Sequence, residues 1–257
     1  MRTIIILIFL ASQAVNAATL QESESGNTAE QICSASTMRI VGGFLSVEAF
    51  SQEVGEVAPI IKAAACKKNP TDGRITIAAF AYDIGKQDAK AMVVALVDES
   101  TRDVVASFRS EVGEDAAMRV DIGSLRIDTA AYKLAPGVRA FGIDLTSGYN
   151  PNCGGGGTGA ERTLYVQDGK LLRPIFGLTM SSWNYSKGDS PRCTSDPEEA
   201  DNAVIENTDF SIAVDRTLTN GYRDLIIRAD SYNDGETKPK ASEILYRVRY
   251  DGREYRH

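Results

Sequence analysis

The sequence predicts a mainly β domain, built as an antiparallel β-sandwich or paired sheets with a short N-terminal helical segment. Three observations lead there. From Arg74 onward, apolar residues alternate with a period of two and β-branched residues accumulate, as half-buried strands require. Asp72-Gly73, Asp168-Gly169, Asn220-Gly221, Asp234-Gly235 and Asp251-Gly252 punctuate those runs with pairs that favour tight hairpin turns. No helical period separates the runs, which argues for antiparallel pairing rather than strand–helix–strand crossovers. A small propeller-like fold is the alternative, although no blade-length repeat is visible.

Residues 1–17 read as a secretory signal: Arg2 is the only charge, Ile4 to Leu10 is the apolar run, and Val15-Asn16-Ala17 offers small residues for cleavage. The apolar run is too short to span a bilayer, and no comparable run follows, so no membrane span is expected. Residues 18–32 are polar and aperiodic, a flexible leader. Residues 33–257 form a single disulfide-stabilised domain, with a possible division into two halves near residues 146–160.

Phe50, Val54, Val57, Ile61 and Ala64 recur at helical spacing, which predicts the helical segment there, kinked at Pro59. Strands are expected over 74–82, 90–98, 102–110, 117–127, 137–145, 162–167, 170–178, 203–206, 209–215, 223–230 and 243–250. In the last, Ile244, Tyr246, Val248 and Tyr250 alternate with charged Arg247 and Arg249.

Cys33, Cys66, Cys153 and Cys193 form an even set in a chain read as exported, and three pairings are open to them. Local loop closure favours Cys33–Cys66 with Cys153–Cys193. No C-x-x-C pair and no nearby histidine support a zinc site, so no metal or cofactor is expected. The net charge of −7 argues against nucleic acid as a partner.

Several motifs resemble chemistry that the rest of the chain does not support. Arg39-Ile40-Val41-Gly42-Gly43 resembles the activation segment of trypsin-like proteases, but the only histidine is His257 and no general base is available to a serine. Cys153 to Gly159 is glycine-rich yet lacks the Lys-Ser/Thr that ends a phosphate loop, and reads as a mobile loop. Asp230, Asn233, Asp234 and Glu236 read as a hairpin turn rather than a calcium loop. What survives is carboxylate chemistry or binding.

Asn220-Gly221-Tyr222-Arg223-Asp224-Leu225-Ile226-Ile227 and Tyr250-Asp251-Gly252-Arg253-Glu254-Tyr255 resemble parts of integrin-type (FG-GAP) propeller blades, which implies hairpins here; Arg216 and Leu218 stand where that family has acidic ligands. Leu125 to Leu145 resembles uncharacterised exported proteins of proteobacteria, which implies a bacterial envelope location, periplasmic or secreted. The favoured function is a non-catalytic binding module for an unknown protein or glycan of the envelope. Gly155, Gly156, Trp183, Tyr185, Glu198 and Asp201 are the candidate ligand-binding residues. A carboxylate-based carbohydrate-active enzyme and a structural envelope protein are the alternatives.

Overall fold

The computed structural model describes residues 31–51, 60–115, 118–146, 155–188, 202–237 and 243–256. Residues 1–30, where the signal and most of the leader are expected, lie outside the described residues, as do Val54, Val57 and Pro59 of the expected helical segment and Cys153, Cys193, Glu198 and Asp201.

The helix is α1 (Ala35–Leu45), earlier in the chain than the spacing of residues 50–64 predicts. Ser34 caps it, its side chain accepting the Thr37 N–H at 3.0 Å. Ser46 ends it in the left-handed conformation (φ 58°), and its N–H turns back to the Gly42 and Gly43 carbonyls. Gly42 and Gly43 weaken the local helix signal. Gly42 is nonetheless needed, because a Cβ there would stand 2.6 Å from the Phe50 Cβ. Ile61 and Ala64 belong instead to β1 (Ile61–Lys68), paired with Tyr82 and Phe80. An alanine-rich stretch satisfies helical spacing by chance, and pairing with the buried, mostly apolar strand beside it overrides that spacing.

The first sheet contains β1, β2 (Ile75–Tyr82), β3 (Ala89–Asp98), β4 (Asp103–Gly113), β5 (Leu125–Ala135), β6 (Val138–Leu145), β8 (Glu161–Asp168) and β9 (Leu171–Thr179). Its order is β1-β2-β3-β4-β9-β8-β6-β5. The strand expected over 117–127 starts only at Leu125, after a turn in which Asp121 O accepts the Ser124 N–H. Strands β2 and β3 are buried on both faces, which explains their nearly unbroken apolar runs.

This sheet curls until its outer strands β1 and β5 touch. Ala63, Ala65, Ala79, Ala81 and Ala106 make room inside the curl for Ile77, Leu96, Phe141 and Tyr165. Where the edges meet, the side-chain amide of Gln31 takes the place of a strand partner: its Nε2 donates to Ile127 O at 3.1 Å and its Oε1 accepts the Ile127 N–H at 2.7 Å. Two residues on, Cys33 is bonded to Cys66 of β1. The N-terminal segment therefore bridges the seam, hydrogen-bonded to one edge and covalently tied to the other.

On the other side of the roll, β4 and β9 run parallel and pair only at Ser107 opposite Leu171, with the Ser107 N–H donating to Lys170 O. The next position of β9 to face β4 is Pro174, which has no N–H to give. The ladder stops there and the two strands separate.

The second sheet holds β7 (Gly156–Thr158), β10 (Ser181–Lys187), β11 (Val204–Thr219), β12 (Tyr222–Asn233), β13 (Glu243–Tyr250) and β14 (Tyr255–Arg256), in the order β14-β13-β12-β11-β10-β7. The two segments expected at 203–206 and 209–215 are one strand, closed against β12 by a two-residue turn with Asn220 at φ 49° and Gly221 at φ 89°. Leu225, Ile227, Val248, Tyr250 and Tyr255 of this sheet pack on Leu134, Leu164, Val166 and Ile175 of the first. The curled sheet is thus covered outside by α1 on one half and by the second sheet on the other. Paired sheets, rather than propeller blades, are what the chain builds. Among the described residues no helix is long and apolar enough to cross a membrane.

One charged cluster lies on the buried face between the sheets. Arg162 grips Asp144 with two bonds (2.6 and 2.8 Å), meets Asp128 at 2.6 Å and donates to the Tyr132 hydroxyl at 3.1 Å. It crosses Gly142, where a Cβ would stand 3.0 Å from its Cδ. With both carboxylates bound, the guanidinium is satisfied despite its burial.

Replacing Cys33 and Cys66 together by alanine is expected to lower stability by about 3 kcal/mol, because the cross-link restrains the unfolded chain and here also holds the seam. Denaturant unfolding of the double variant against the parent measures the loss.

Candidate functional site

Strand β10 supplies the first candidate site. Trp183 sits directly opposite Gly157 of β7 on one side and Asn207 of β11 on the other, and Asn207 sits opposite Tyr232 of β12. Directly opposed residues share a face of a sheet, so Trp183, Asn207 and Tyr232 form one row. Neighbouring strands are about 4.8 Å apart, which separates Trp183 from Tyr232 by roughly 10 Å. Phe210, Ile212 and Val214 of β11 point into the core, which puts the alternate residues of this row on the outer face.

The Trp183 ring lies against the backbone of β7: a Cβ on Gly157 would stand 2.6, 3.0 and 3.2 Å from its Nε1, Cε2 and Cζ2 atoms. Tyr185, two residues along, meets Trp183 edge-on with centroids 5.8 Å apart. The Tyr232 hydroxyl donates to Asp209 at 3.3 Å. Trp183, Tyr185, Asn207 and Tyr232 are all half-buried. Among the described residues, the Asn207 amide makes no hydrogen bond.

Of the sequence-predicted site residues, Gly155, Gly156, Trp183 and Tyr185 are therefore brought together. The glycine run is not the loop it resembles, since Gly156–Thr158 is a strand. Its composition follows from close approach: a Cβ on Gly156 would meet Trp183 O at 2.6 Å, one on Gly159 would collide with Ser181 Oγ, and Gly155 O accepts the Tyr185 N–H. Sequence reading missed Asn207 and Tyr232, whose membership depends on register across three strands.

The second candidate site is the hollow left where β4 and β9 separate. It has a volume of about 550 Å³, within the roughly 300–1,000 Å³ of small-molecule sites. Its wall is apolar, with Met92, Phe108, Ile143, Leu145 and Pro174. Glu161, Thr163 and Tyr165 descend along β8 on the side facing it. Burial pushes the Tyr165 phenol up to about 12, although a bond with Thr163 works against that rise. Among the described residues the lining includes Glu111, Glu114, Asp115 and Glu161 but no lysine or arginine. Glu111 is paired with Lys86 and Glu114 with Lys90, each at 2.8 Å.

The turn that resembles calcium ligands holds itself together: the Asn233 N–H and amide donate to Glu236, and the Glu236 N–H donates back to Asn233 O. Among the described residues no group of three or more His, Cys, Asp or Glu is arranged to hold a metal ion.

Comparison of the chain with protein-family models, curated proteins and solved structures finds no match.

A Gly157→Ala substitution is expected to lift the indole off β7 and shift Trp183 emission to the red, since this is the chain's one tryptophan. A fluorescence spectrum of the folded variant checks it. Glu114 generates a pH dependence. Burial raises its carboxyl, but the Lys90 ammonium and the Val120 N–H outweigh burial and hold it below its ordinary 4.5. A depressed folded value means that its stabilisation is complete above the unfolded value and is lost as pH falls through the folded one. Glu114→Gln is expected to flatten the fall in stability below about pH 4.5, as followed by unfolding at a series of pH values.

Proposed function

We propose that this chain is an exported, non-catalytic binding protein that holds glycans on the outer face of its second sheet. The observation that supports this most directly is the row of Trp183, Asn207 and Tyr232, with the indole lying against Gly157. A sugar ring has apolar C–H faces and a polar rim. Flat half-exposed aromatics receive the faces, and an amide between them can donate to and accept from hydroxyls at the rim. Rings already packed on β7, or bonded through a phenol to Asp209, lose little freedom when a ligand arrives.

Export rests on the signal-like residues 1–17 and on the Cys33–Cys66 bond, which persists in oxidising compartments. Binding is favoured over a carboxylate-based hydrolase by the use made of the acids. Asp209 is held by Tyr232, Glu111 and Glu114 by lysines and Asp115 by the Met118 N–H, which leaves Glu161 at the hollow, whereas hydrolysis of a glycoside needs two facing carboxylates available to substrate.

Trp183 provides the test. Titrating the folded protein with a panel of β-linked oligosaccharides is expected to give a saturable change in tryptophan emission for at least one of them. Trp183→Ala and Tyr232→Ala are each expected to weaken retention in glycan affinity electrophoresis by about tenfold or more, the size of one lost stacking contact with its ordered hydroxyl bonds. A folded protein whose emission responds to none of the oligosaccharides would overturn the reading.

A further inference from the structure

We propose that the hollow between β4 and β9 binds a small amphiphilic amine, with its ammonium at the mouth and its apolar body inside the curled sheet. This site is separate from the aromatic row and does not depend on the glycan reading.

The hollow exists because Pro174 ends the pairing of β4 with β9 at Ser107 and Leu171. Side chains of β4 alternate, so Phe108, Ser110 and Val112 face inward with Ala106, and all but Ala106 line the hollow. With Met92, Ile143 and Tyr165 they make a deep wall suited to a hydrocarbon chain or a ring.

Charge then selects the head group. The mouth carries Glu111, Glu114, Asp115 and Glu161, and among the described residues no basic one lines it. Lys86 and Lys90 neutralise Glu111 and Glu114, and Asp115 accepts the Met118 N–H at 2.7 Å. The carboxylate of Glu161, at the outer end of the Glu161–Thr163–Tyr165 row, makes no ion pair or hydrogen bond among the described residues, while its backbone pairs with Leu145 and Thr179. Its carboxylate meets an entering ammonium where the apolar wall begins. An alkyl carboxylate would bring a second negative charge to the same place, and an alcohol would leave Glu161 without a counter-ion. Deeper in, Tyr165 is buried with its ring against Phe108 and Phe141, so the inner end presents apolar surface.

The experiment is calorimetric titration of the disulfide-intact protein at neutral pH with n-octylamine, 1-octanol and octanoate, all below their critical micelle concentrations. Octylamine is expected to bind saturably at one site, about tenfold tighter than octanol, as one charge-assisted contact provides, with octanoate weakest. Glu161→Gln is expected to bring octylamine down to the octanol level. Glu161→Lys is expected to reverse the order and favour octanoate, a gain that a merely damaged fold would not produce. Ser110→Trp, which fills the hollow, is expected to abolish all three. Octanoate binding as tightly as octylamine, or octylamine affinity unchanged in Glu161→Gln, would overturn the proposal. So would the absence of octylamine binding, or octylamine binding that survives Ser110→Trp.

Discussion

Everything in this molecule depends on how a curled eight-stranded sheet satisfies its backbone where the curl comes round on itself. An open sheet edge leaves N–H and C=O groups unpaired, and two such edges brought together must be paired, bridged or parted. The chain bridges one junction and parts the other. Between β1 and β5 the bridge is minimal, a Gln31 amide on one edge and the Cys33–Cys66 bond on the other. The same few residues lead directly into α1, whose Val41 and Thr37 are completely buried. One short segment therefore seals the seam, anchors the helix and covers the outer face of β2 and β3.

The opposite junction is left open by a single imino acid. Pro174 withholds an N–H from β4, and an apolar hollow forms where a continuous sheet would have none. The hollow has acids around its mouth, while the other end of the curl carries Lys133, Arg139 and Arg223 around a separate hollow of about 570 Å³. The interior is closed in the middle by Phe141, Tyr165 and Leu96, so the two ends are chemically distinct compartments.

The second sheet covers hydrophobic surface and also presents its own. Leu225, Ile227, Val248 and Tyr255 pack against the first sheet, whereas Trp183, Asn207 and Tyr232 alternate onto the outer face. Glycines decide how flat that outer face is. At Gly156 and Gly157 any side chain would collide with Trp183, so the glycine-rich composition that reads as mobility serves close packing.

The sequence by itself determined the features governed by local chemistry. Period-two alternation placed most of the strands, and Asn220-Gly221 has the residues that its positive-φ turn demands. Cys33 and Cys66 were paired by the preference for short loops, as they are in the structure. Local signals misplaced α1 because Gly42 and Gly43 dilute it, and they gave β1 a helical look because alanines fit either period. Only tertiary structure decided the meeting of β1 with β5, the partnership of β4 with β9, and the rows that join Trp183 to Tyr232 and Glu161 to the hollow. The reason is physical. Alternation along one strand says which residues share a face, but which strands become neighbours, and in what register, is set by contacts between residues far apart in the chain.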